Sequence, residues 1–239
     1  MKFELTYKPY GMLAILIQWP ARIDESIVLD MVSFEQKIQK NKAILETVIT
    51  YNSLLVCYHQ TISNINLEIQ QLKKLYLINI PTEKKSHVLW QIPVCYDLSF
   101  GLDLLHLAKE KQLSVEQVIA LHSQVNYFVY FIGFQPGFLY LGGLNSAIHM
   151  ARKSTPRIRV DKGSIGIGGL QTGIYPQDCS GGWNLIGKSP IDFFDIEKQP
   201  PVFAKIGDQI QFYPIDLEEF FKIEKEVANG SYTLKNKLL

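Results

Sequence analysis

Residues 133–144 read GFQPGFLYLGGL and follow a predicted strand, Tyr127–Phe134, that is rich in aromatic and β-branched residues. Glycines at this density cost conformational entropy inside a strand, so we expect them where the backbone turns sharply or where a ligand or partner approaches closely. The Pro-Gly pair at 136–137 favours a turn. The aromatic side chains of the stretch would then pack in a tight barrel corner or line a binding surface: Phe134, Phe138 and Tyr140.

Downstream of this stretch the sequence alternates short apolar runs with Gly-Gly and Ser-Pro pairs as far as Tyr213. Several short strands at such intervals predict a small closed barrel or a sandwich. After Pro214 the chain becomes amphipathic and charged, which predicts a C-terminal helix over about 216–227 and a polar tail.

Upstream, the first 85 residues follow a different pattern. Two helical periodicities, Asp24–Ile38 and Asn64–Tyr76, lie between runs with strand alternation. Read as strand, helix, strand, strand, helix, strand, with the last strand at 87–95, this order is the split βαβ or ferredoxin-like arrangement. We therefore predict an α+β ferredoxin-like domain over 1–85, a mainly-β barrel domain over 86–215, and a C-terminal helix and tail over 216–239.

Composition and charge exclude several function classes. The chain has 239 residues, is 47% hydrophobic and carries a formal net charge of +1, so it can bury a core and shows no global preference for nucleic acid or membrane surfaces. No apolar run approaches the ~18 residues of a membrane span, and Met12–Ile17 is too short for a signal peptide. Three scattered cysteines indicate neither a disulfide framework nor a zinc site. We expect a soluble, cytoplasmic protein without a metal centre.

Glycine and charge are unevenly distributed along the chain. Twelve of the sixteen glycines lie between positions 133 and 187, three of the four arginines lie at 152–159, and no Asp or Glu occurs between Gln117 and Val160. Guanidinium groups match carboxylate or phosphate, and the glycine-rich run at 163–169, GSIGIGG, can add backbone N–H groups. Because this run fits neither a Walker loop nor a dinucleotide fingerprint, it indicates an anion site of unspecified kind.

Candidate site residues follow from these groups. Gln and Thr beside a glycine suit an amide or lactam, Tyr can donate to a developing oxyanion, and a Trp after two glycines can wall an apolar pocket. A histidine near the end of a capped helix is a candidate for proton transfer, with a capping or packing role as the alternative. The catalytic candidates are His122, Arg157, Gln171, Thr172 and Tyr175; the substrate-binding candidates are Phe134, Gln135, Pro136, Gly137, Tyr140, Arg152, Gly163, Ser164, Gly181, Gly182 and Trp183.

Several long motifs occur in a fixed order: LHSQVNY, GFQPGFLYLGGL, GSIGIGGLQTGIYP, GGWNLIGKSP and GDQIQFYPI. Together they resemble the allophanate hydrolase subunit 1 family, and the resemblance covers essentially the whole chain. That family also includes KipI-type inhibitors of sporulation histidine kinases. The resemblance implies that the predicted barrel is cyclophilin-like.

The resemblance also implies a function. The chain would be the PxpB-type component of an ATP-dependent 5-oxoprolinase, which opens 5-oxo-L-proline to L-glutamate. Its partners would be a second barrel subunit of the allophanate hydrolase subunit 2 (PxpC) type and a subunit of the LamB/YcsF (PxpA) type. ATP, with or without Mg²⁺, would bind at the level of the complex. The alternatives are a KipI-type kinase inhibitor and a carboxyltransferase-like subunit acting on urea or allophanate-type amides.

Overall fold

The computed structural model describes residues 2–78 and 86–239. The chain divides into two compact units, Met1–Lys85 and Ser86–Leu239, which are described separately below. The predicted domain boundary at residue 85 falls at the end of the segment 79–85, which lies outside the described residues.

The first unit is an antiparallel sheet with two helices. Its sheet has the strand order β1-β2-β4-β3, and α1 packs against α2 and β3. Asp24 and Asn64 begin the helices because each side chain accepts a backbone N–H of the first turn. The elements are β1 Thr6–Tyr10, β2 Ala14–Gln18, α1 Glu25–Ile38, β3 Ile44–Ile49, β4 Ser53–Tyr58 and α2 Ile65–Leu77.

The ferredoxin-like arrangement predicted for this unit is not confirmed. The two N-terminal apolar runs form a hairpin, β1–β2, so that the observed order is strand, strand, helix, strand, strand, helix. The strand predicted at 87–95 is observed as β5, Val88–Cys95, but it pairs within the second unit. Its pattern of burial is consistent with this placement. Residues 92–95 are all buried, which suits a strand covered on both faces.

The second unit is built on a closed barrel of seven strands in the order β12-β9-β10-β7-β6-β13-β5, with β5 pairing back onto β12. The barrel agrees with the cyclophilin-like expectation. A further strand, β14, pairs with β5, while β8 and β11 form a separate two-stranded ribbon. The strands are β5 Val88–Cys95, β6 Asn126–Ile132, β7 Leu139–Gly142, β8 Arg157–Val160, β9 Ser164–Gly168, β10 Gln171–Ile174, β11 Cys179–Gly181, β12 Asn184–Lys188, β13 Gln209–Ile215 and β14 Asn236–Leu238.

Helices pack around this barrel. Ser114 begins α4 with the predicted capping box, and α4 packs against β13, whereas α5 packs against β5. The helices of this unit are α3 Leu104–Glu110, α4 Val115–Ser123 and α5 Leu217–Ala228. None of the helices within residues 2–78 and 86–239 is long and apolar enough to cross a membrane.

Alternate residues of the barrel strands fill its interior with aliphatic and aromatic side chains. This core includes Ile92, Val94, Tyr127, Val129, Leu139, Leu141, Ile165, Ile167, Ile174, Ile186, Ile210 and Phe212. Because the interior is packed with side chains, a small-molecule site in this unit must lie on the outer face or at an end of the barrel.

The buried carboxylate of Asp208 joins the starts of the two parallel strands β5 and β13. Its Oδ1 accepts the Val88 N–H at 2.9 Å, and its Oδ2 accepts the Trp90 indole N–H at 3.0 Å and the Lys205 N–H at 2.9 Å. Parallel strands cannot be joined by a tight turn, so their register depends on such contacts.

We expect Asp208→Ala to lower the free energy of unfolding by about 2–4 kcal/mol, because it removes a buried acceptor and leaves three partly buried donors without it. Urea denaturation followed by circular dichroism measures this loss. Asp161→Ala is the matched control, since Asp161 pairs with Arg159 on the exposed surface and its loss should hardly move the midpoint. Equal midpoints for the two variants would contradict the assignment.

Candidate functional site

A tryptophan lies flat against glycines on the outer face of the barrel. In β9, Ile165 and Ile167 point into the core, so Gly166 and Gly168 face outward. A Cβ built on Gly168 would lie 2.6 Å from Cε2 of Trp183, and one built on Gly173 of β10 would lie 2.9 Å from its Cζ3. The side chains missing at these positions therefore make the space that the indole occupies.

This geometry corrects the prediction that the run at 163–169 cradles an anion. Its two outward glycines are covered by Trp183, and its first residues serve the barrel backbone. Gly163, at φ +81°, donates its N–H to the Tyr175 carbonyl at 2.8 Å, and Ser164 is buried. Neither Gly163 nor Ser164 lines the two concave surfaces described below, so we reassign both from ligand binding to the β8–β9 turn.

Seven of the predicted residues come together around a small cleft of about 180 Å³ beside Trp183, which we call the aromatic cleft. Phe134 stands at its rim, 67% exposed, and has a positive φ of +68°. A bulky residue rarely adopts this conformation, and such strain is concentrated at functional sites. The cleft is lined by Phe134, Phe138, Tyr140, Arg152, Lys153, Pro156, Tyr175, Gly181, Gly182 and Trp183.

The remaining residues of the Pro-Gly turn shape the loop but do not line the cleft. The turn closes through the Phe138 N–H, which donates to the Gln135 carbonyl at 3.0 Å, with Pro136 between them. Gly137 has φ +84°, and a Cβ there would lie 2.7 Å from the Phe193 carbonyl oxygen, so only glycine fits. The turn therefore holds Phe134 and Phe138, whose rings meet edge to face, at the cleft.

The basic stretch at 152–159 divides into paired and free cations. Nη2 of Arg157 and Nζ of Lys153 lie 2.7 and 2.8 Å from Oδ1 of Asp103, a carboxylate that is only 4% exposed. Arg159 pairs with Asp161 and Asp178 at the surface. Among the described residues, Arg152 has no carboxylate within ion-pair distance, and its guanidinium lies over the Trp183 ring at 5.4 Å.

The catalytic role predicted for Arg157 is therefore corrected: its charge is engaged in an internal ion pair. The third partner of Asp103 is the N–H of Leu185, which donates to Oδ2 at 2.7 Å. Burial raises the pKa of Asp103, but the hydrogen bonds from Arg157, Lys153 and Leu185 outweigh it, so the pKa is lowered overall. Of the predicted arginines, Arg152 is the one without a carboxylate partner among the described residues; Nη1 of Arg157 has no hydrogen-bond partner there either, but it is buried.

His122 and Thr172 lie in the barrel interior, so we correct their assignment as catalytic residues. Thr172 donates its hydroxyl to the Gly166 carbonyl at 3.0 Å, so it accepts from His122 Nε2 at 2.9 Å. Nδ1 of His122 is then the acceptor of the Tyr96 hydroxyl at 2.7 Å. Burial lowers the pKa of His122 to about 3. The imidazole is therefore a neutral member of a buried hydrogen-bond network and is sealed from ligands.

Of the last two catalytic candidates, one lines the aromatic cleft and the other does not. Tyr175 lines the aromatic cleft, and burial raises the pKa of its phenol to about 12, so near neutral pH it stays a hydrogen-bond donor. Gln171 lies half-buried at the start of β10 and lines neither concave surface. Only the tyrosine is thus positioned to contact a molecule in the cleft.

Two functional residues were missed by sequence reasoning. Asp103 lies about fifty positions before its cationic partners, outside the segment 117–160 that contains no Asp or Glu. Asn184 directly follows the GGW motif and lines a second, larger cavity that shares Arg152 and Lys153 with the aromatic cleft. Within residues 2–78 and 86–239, no three His, Cys, Asp or Glu side chains cluster closely enough to hold a metal ion.

The fold and this face define a class of protein. Residues 5–204 match the model of the carboxyltransferase domain, subdomains C and D, and the chain belongs to that family. The crystal structure of the K. lactis urea amidolyase superposes with a TM-score of 0.83 over 99% of this chain and 16% of that one, at 19% identity, which shows the shared fold.

The curated relatives of the chain carry more specific names than this domain family. The chain is 46% identical over 136 residues to the 5-oxoprolinase B-subunit of Bacillus subtilis, a match that spans 57% of each protein. It is 39% identical over 181 residues to the 5-oxoprolinase B-subunit of Haemophilus influenzae, covering 75% of this chain and 84% of that protein. The predicted family resemblance is confirmed.

We expect Gly168→Ala to lower the free energy of unfolding by about 1–3 kcal/mol, because the new methyl group must displace the indole of Trp183. Gly133→Ala is the matched control, since its nearest contact would be an ordinary 3.5 Å. Thermal unfolding and indole fluorescence report the two variants. If Gly168→Ala unfolds at the same temperature as Gly133→Ala, the glycines do not make room for the indole.

Asp103 should make stability depend on pH. Its folded pKa lies below the unfolded value of ~3.9, so its contribution is complete above that value and is lost as pH falls through the folded pKa. We expect Asp103→Asn to cost about 2–4 kcal/mol near neutral pH, and this difference from the original chain should shrink below about pH 4. Urea denaturation across pH measures it, with Asp178→Asn as the exposed control. A difference that does not change with pH would contradict the assignment.

Proposed function

We propose that this chain acts as the PxpB-type component of an ATP-dependent 5-oxoprolinase, which opens 5-oxo-L-proline to L-glutamate together with partner subunits. The names of its relatives support this assignment. Five-membered lactams resist simple hydrolysis, so coupling the ring opening to ATP is chemically reasonable. We place ATP, with or without Mg²⁺, at the level of the complex.

The observation that carries the proposal is the free guanidinium of Arg152. It lies over Trp183, which orients it through a cation–π contact, and it lines both the aromatic cleft and the second, larger cavity that Asn184 also lines. A guanidinium in this setting matches a small carboxylate bidentately, and 5-oxo-L-proline is such a carboxylate. Tyr175 supplies a neutral hydroxyl that can donate to a carbonyl oxygen in the cleft.

The shape of this face supports a role within a complex. The aromatic cleft, at about 180 Å³, is smaller than the ~300–1,000 Å³ of typical ligand pockets. Its rim carries the exposed aromatic ring of Phe134, held in a strained backbone conformation. We infer that a second barrel subunit and a LamB/YcsF-type subunit complete the site and that the chain is inactive alone.

The test is coexpression with candidate partner subunits, followed by measurement of glutamate release from 5-oxo-L-proline with and without ATP. We expect Arg152→Ala to lower kcat/KM about 10- to 150-fold, the loss of one hydrogen-bonded charge. Arg152→Lys should recover part of this, because it keeps the charge but not the fork. Arg159→Ala is the matched control, since Arg159 pairs only with surface carboxylates.

Two outcomes would contradict the proposal. A well-formed complex that releases no glutamate with ATP excludes the oxoprolinase activity, and the same complex should then be assayed with urea-type amides. Equal losses for Arg152→Ala and Arg159→Ala would show that Arg152 has no special place in the reaction.

A further inference from the structure

The larger cavity beside the aromatic cleft has a buried amide at its wall. Its volume is about 550 Å³, and we call it the Asn184 cavity. Asn184 is 2% exposed and begins β12, directly after Trp183. The cavity is lined by His106, Glu110, Lys111, Met150, Ala151, Arg152, Lys153, Ser154, Thr155 and Asn184.

Two backbone carbonyls determine how the Asn184 amide is oriented. Nδ2 donates to the Ala151 carbonyl at 2.9 Å and to the Ile167 carbonyl at 3.1 Å. Both partners are acceptors, so the amide cannot be flipped without placing oxygen against oxygen. Its two N–H donors are therefore engaged, and Oδ1 is the group left over.

The Asn184 oxygen is an acceptor without a donor. Among the described residues nothing donates to Oδ1, although a polar atom at a buried position normally has a partner. This oxygen is not one of the atoms sealed inside the protein without a partner, so it retains access to the cavity that the residue lines. The nearby ammonium of Lys153 is engaged with Asp103 at 2.8 Å.

Asn184 and Arg152 are linked through one residue. The amide of Asn184 holds the Ala151 carbonyl, and Arg152 follows in the chain, with its guanidinium over the neighbouring Trp183. Among its lining groups the cavity therefore presents the Arg152 cation and the free acceptor of Asn184, together with the charged side chains of Glu110 and Lys111. Its complement is a small carboxylate that carries an N–H group.

Resting on the proposed function, we propose that Asn184 is a specificity-determining residue. Its Oδ1 accepts the N–H of a lactam or amide substrate whose carboxylate pairs with Arg152. A lactone of the same shape places a ring oxygen against Oδ1, where two acceptors repel and the buried amide stays unpaired. Sites built to bind an N–H reject analogues that lack it for this reason.

The experiment compares two ligands on the assembled complex without ATP. Calorimetry measures the affinity for 5-oxo-L-proline and for (S)-5-oxotetrahydrofuran-2-carboxylate, in which the ring N–H is replaced by oxygen. We expect the original complex to prefer the lactam by at least about 10-fold. In Asn184→Leu this preference should fall to within about 2-fold, because lactam binding weakens and lactone binding strengthens once the repelling oxygen is gone.

Asn184→Asp keeps an acceptor oxygen toward the ligand, but it replaces the N–H donors to Ala151 and Ile167 with a charged oxygen that faces both carbonyls. Stability and the affinity for both carboxylate ligands should therefore fall, while the preference for the lactam over the lactone is retained. This variant separates ligand recognition from the support of Ala151, and it keeps the test open where Asn184→Leu does not fold. The inference is overturned if the original complex binds neither ligand or binds both equally, if Asn184→Leu keeps the preference, or if Asn184→Asp loses it.

The outcome is distinguishable from that of the proposed function. A complex with an Asn184-dependent lactam preference that releases no glutamate with ATP supports this inference and refutes the activity. A complex that releases glutamate but shows no Asn184-dependent preference supports the activity and refutes the inference.

Discussion

The buried carboxylate of Asp103 organises the functional face of the barrel. It binds Lys153 from an irregular segment, Arg157 from the start of β8 and the Leu185 N–H from β12, so one side chain joins three parts of the chain. A carboxylate can be buried at low cost only when it is paired and hydrogen-bonded, so each partner is required. Arg152, in the same basic stretch, has no carboxylate partner among the described residues and lies over Trp183 instead.

The indole of Trp183 is the second organising element, and its position against the sheet depends on glycines that have no side chain. Gly168 and Gly173 leave space on the outer face of the sheet, and the indole fills it. Arg152 then lies over the indole, and Asn184, the next residue after Trp183, faces the adjoining cavity. A platform built from glycine and tryptophan thus brings an apolar surface, a cation and an acceptor together, a combination suited to a small polar anion.

Much of the barrel was predictable because its signals are local. Strand alternation, Pro-Gly turns and the capping box at Ser114 all act within a few residues of the chain. The N-terminal unit was predicted less well, because a strand pattern does not tell which sheet the strand will join. The apolar run at 88–95 fits either, and its parallel pairing with β13 lies more than a hundred residues away in sequence.

The same distinction between local and long-range signals applies to the site residues. The aromatic and glycine residues of the cleft could be named from composition and motif order, and the resemblance to the allophanate hydrolase subunit 1 family could be recognised from those motifs. Whether each polar group is paired or buried could not be predicted. Arg157 and Arg152 look alike in sequence, and His122 and Thr172 look like accessible polar residues. The pairing of Arg157 depends on an aspartate 54 positions before it. The burial of His122 and Thr172 depends on which side of the barrel wall each side chain points to. Folding alone brings those distant groups together, because ion pairing and burial act through space and not along the chain.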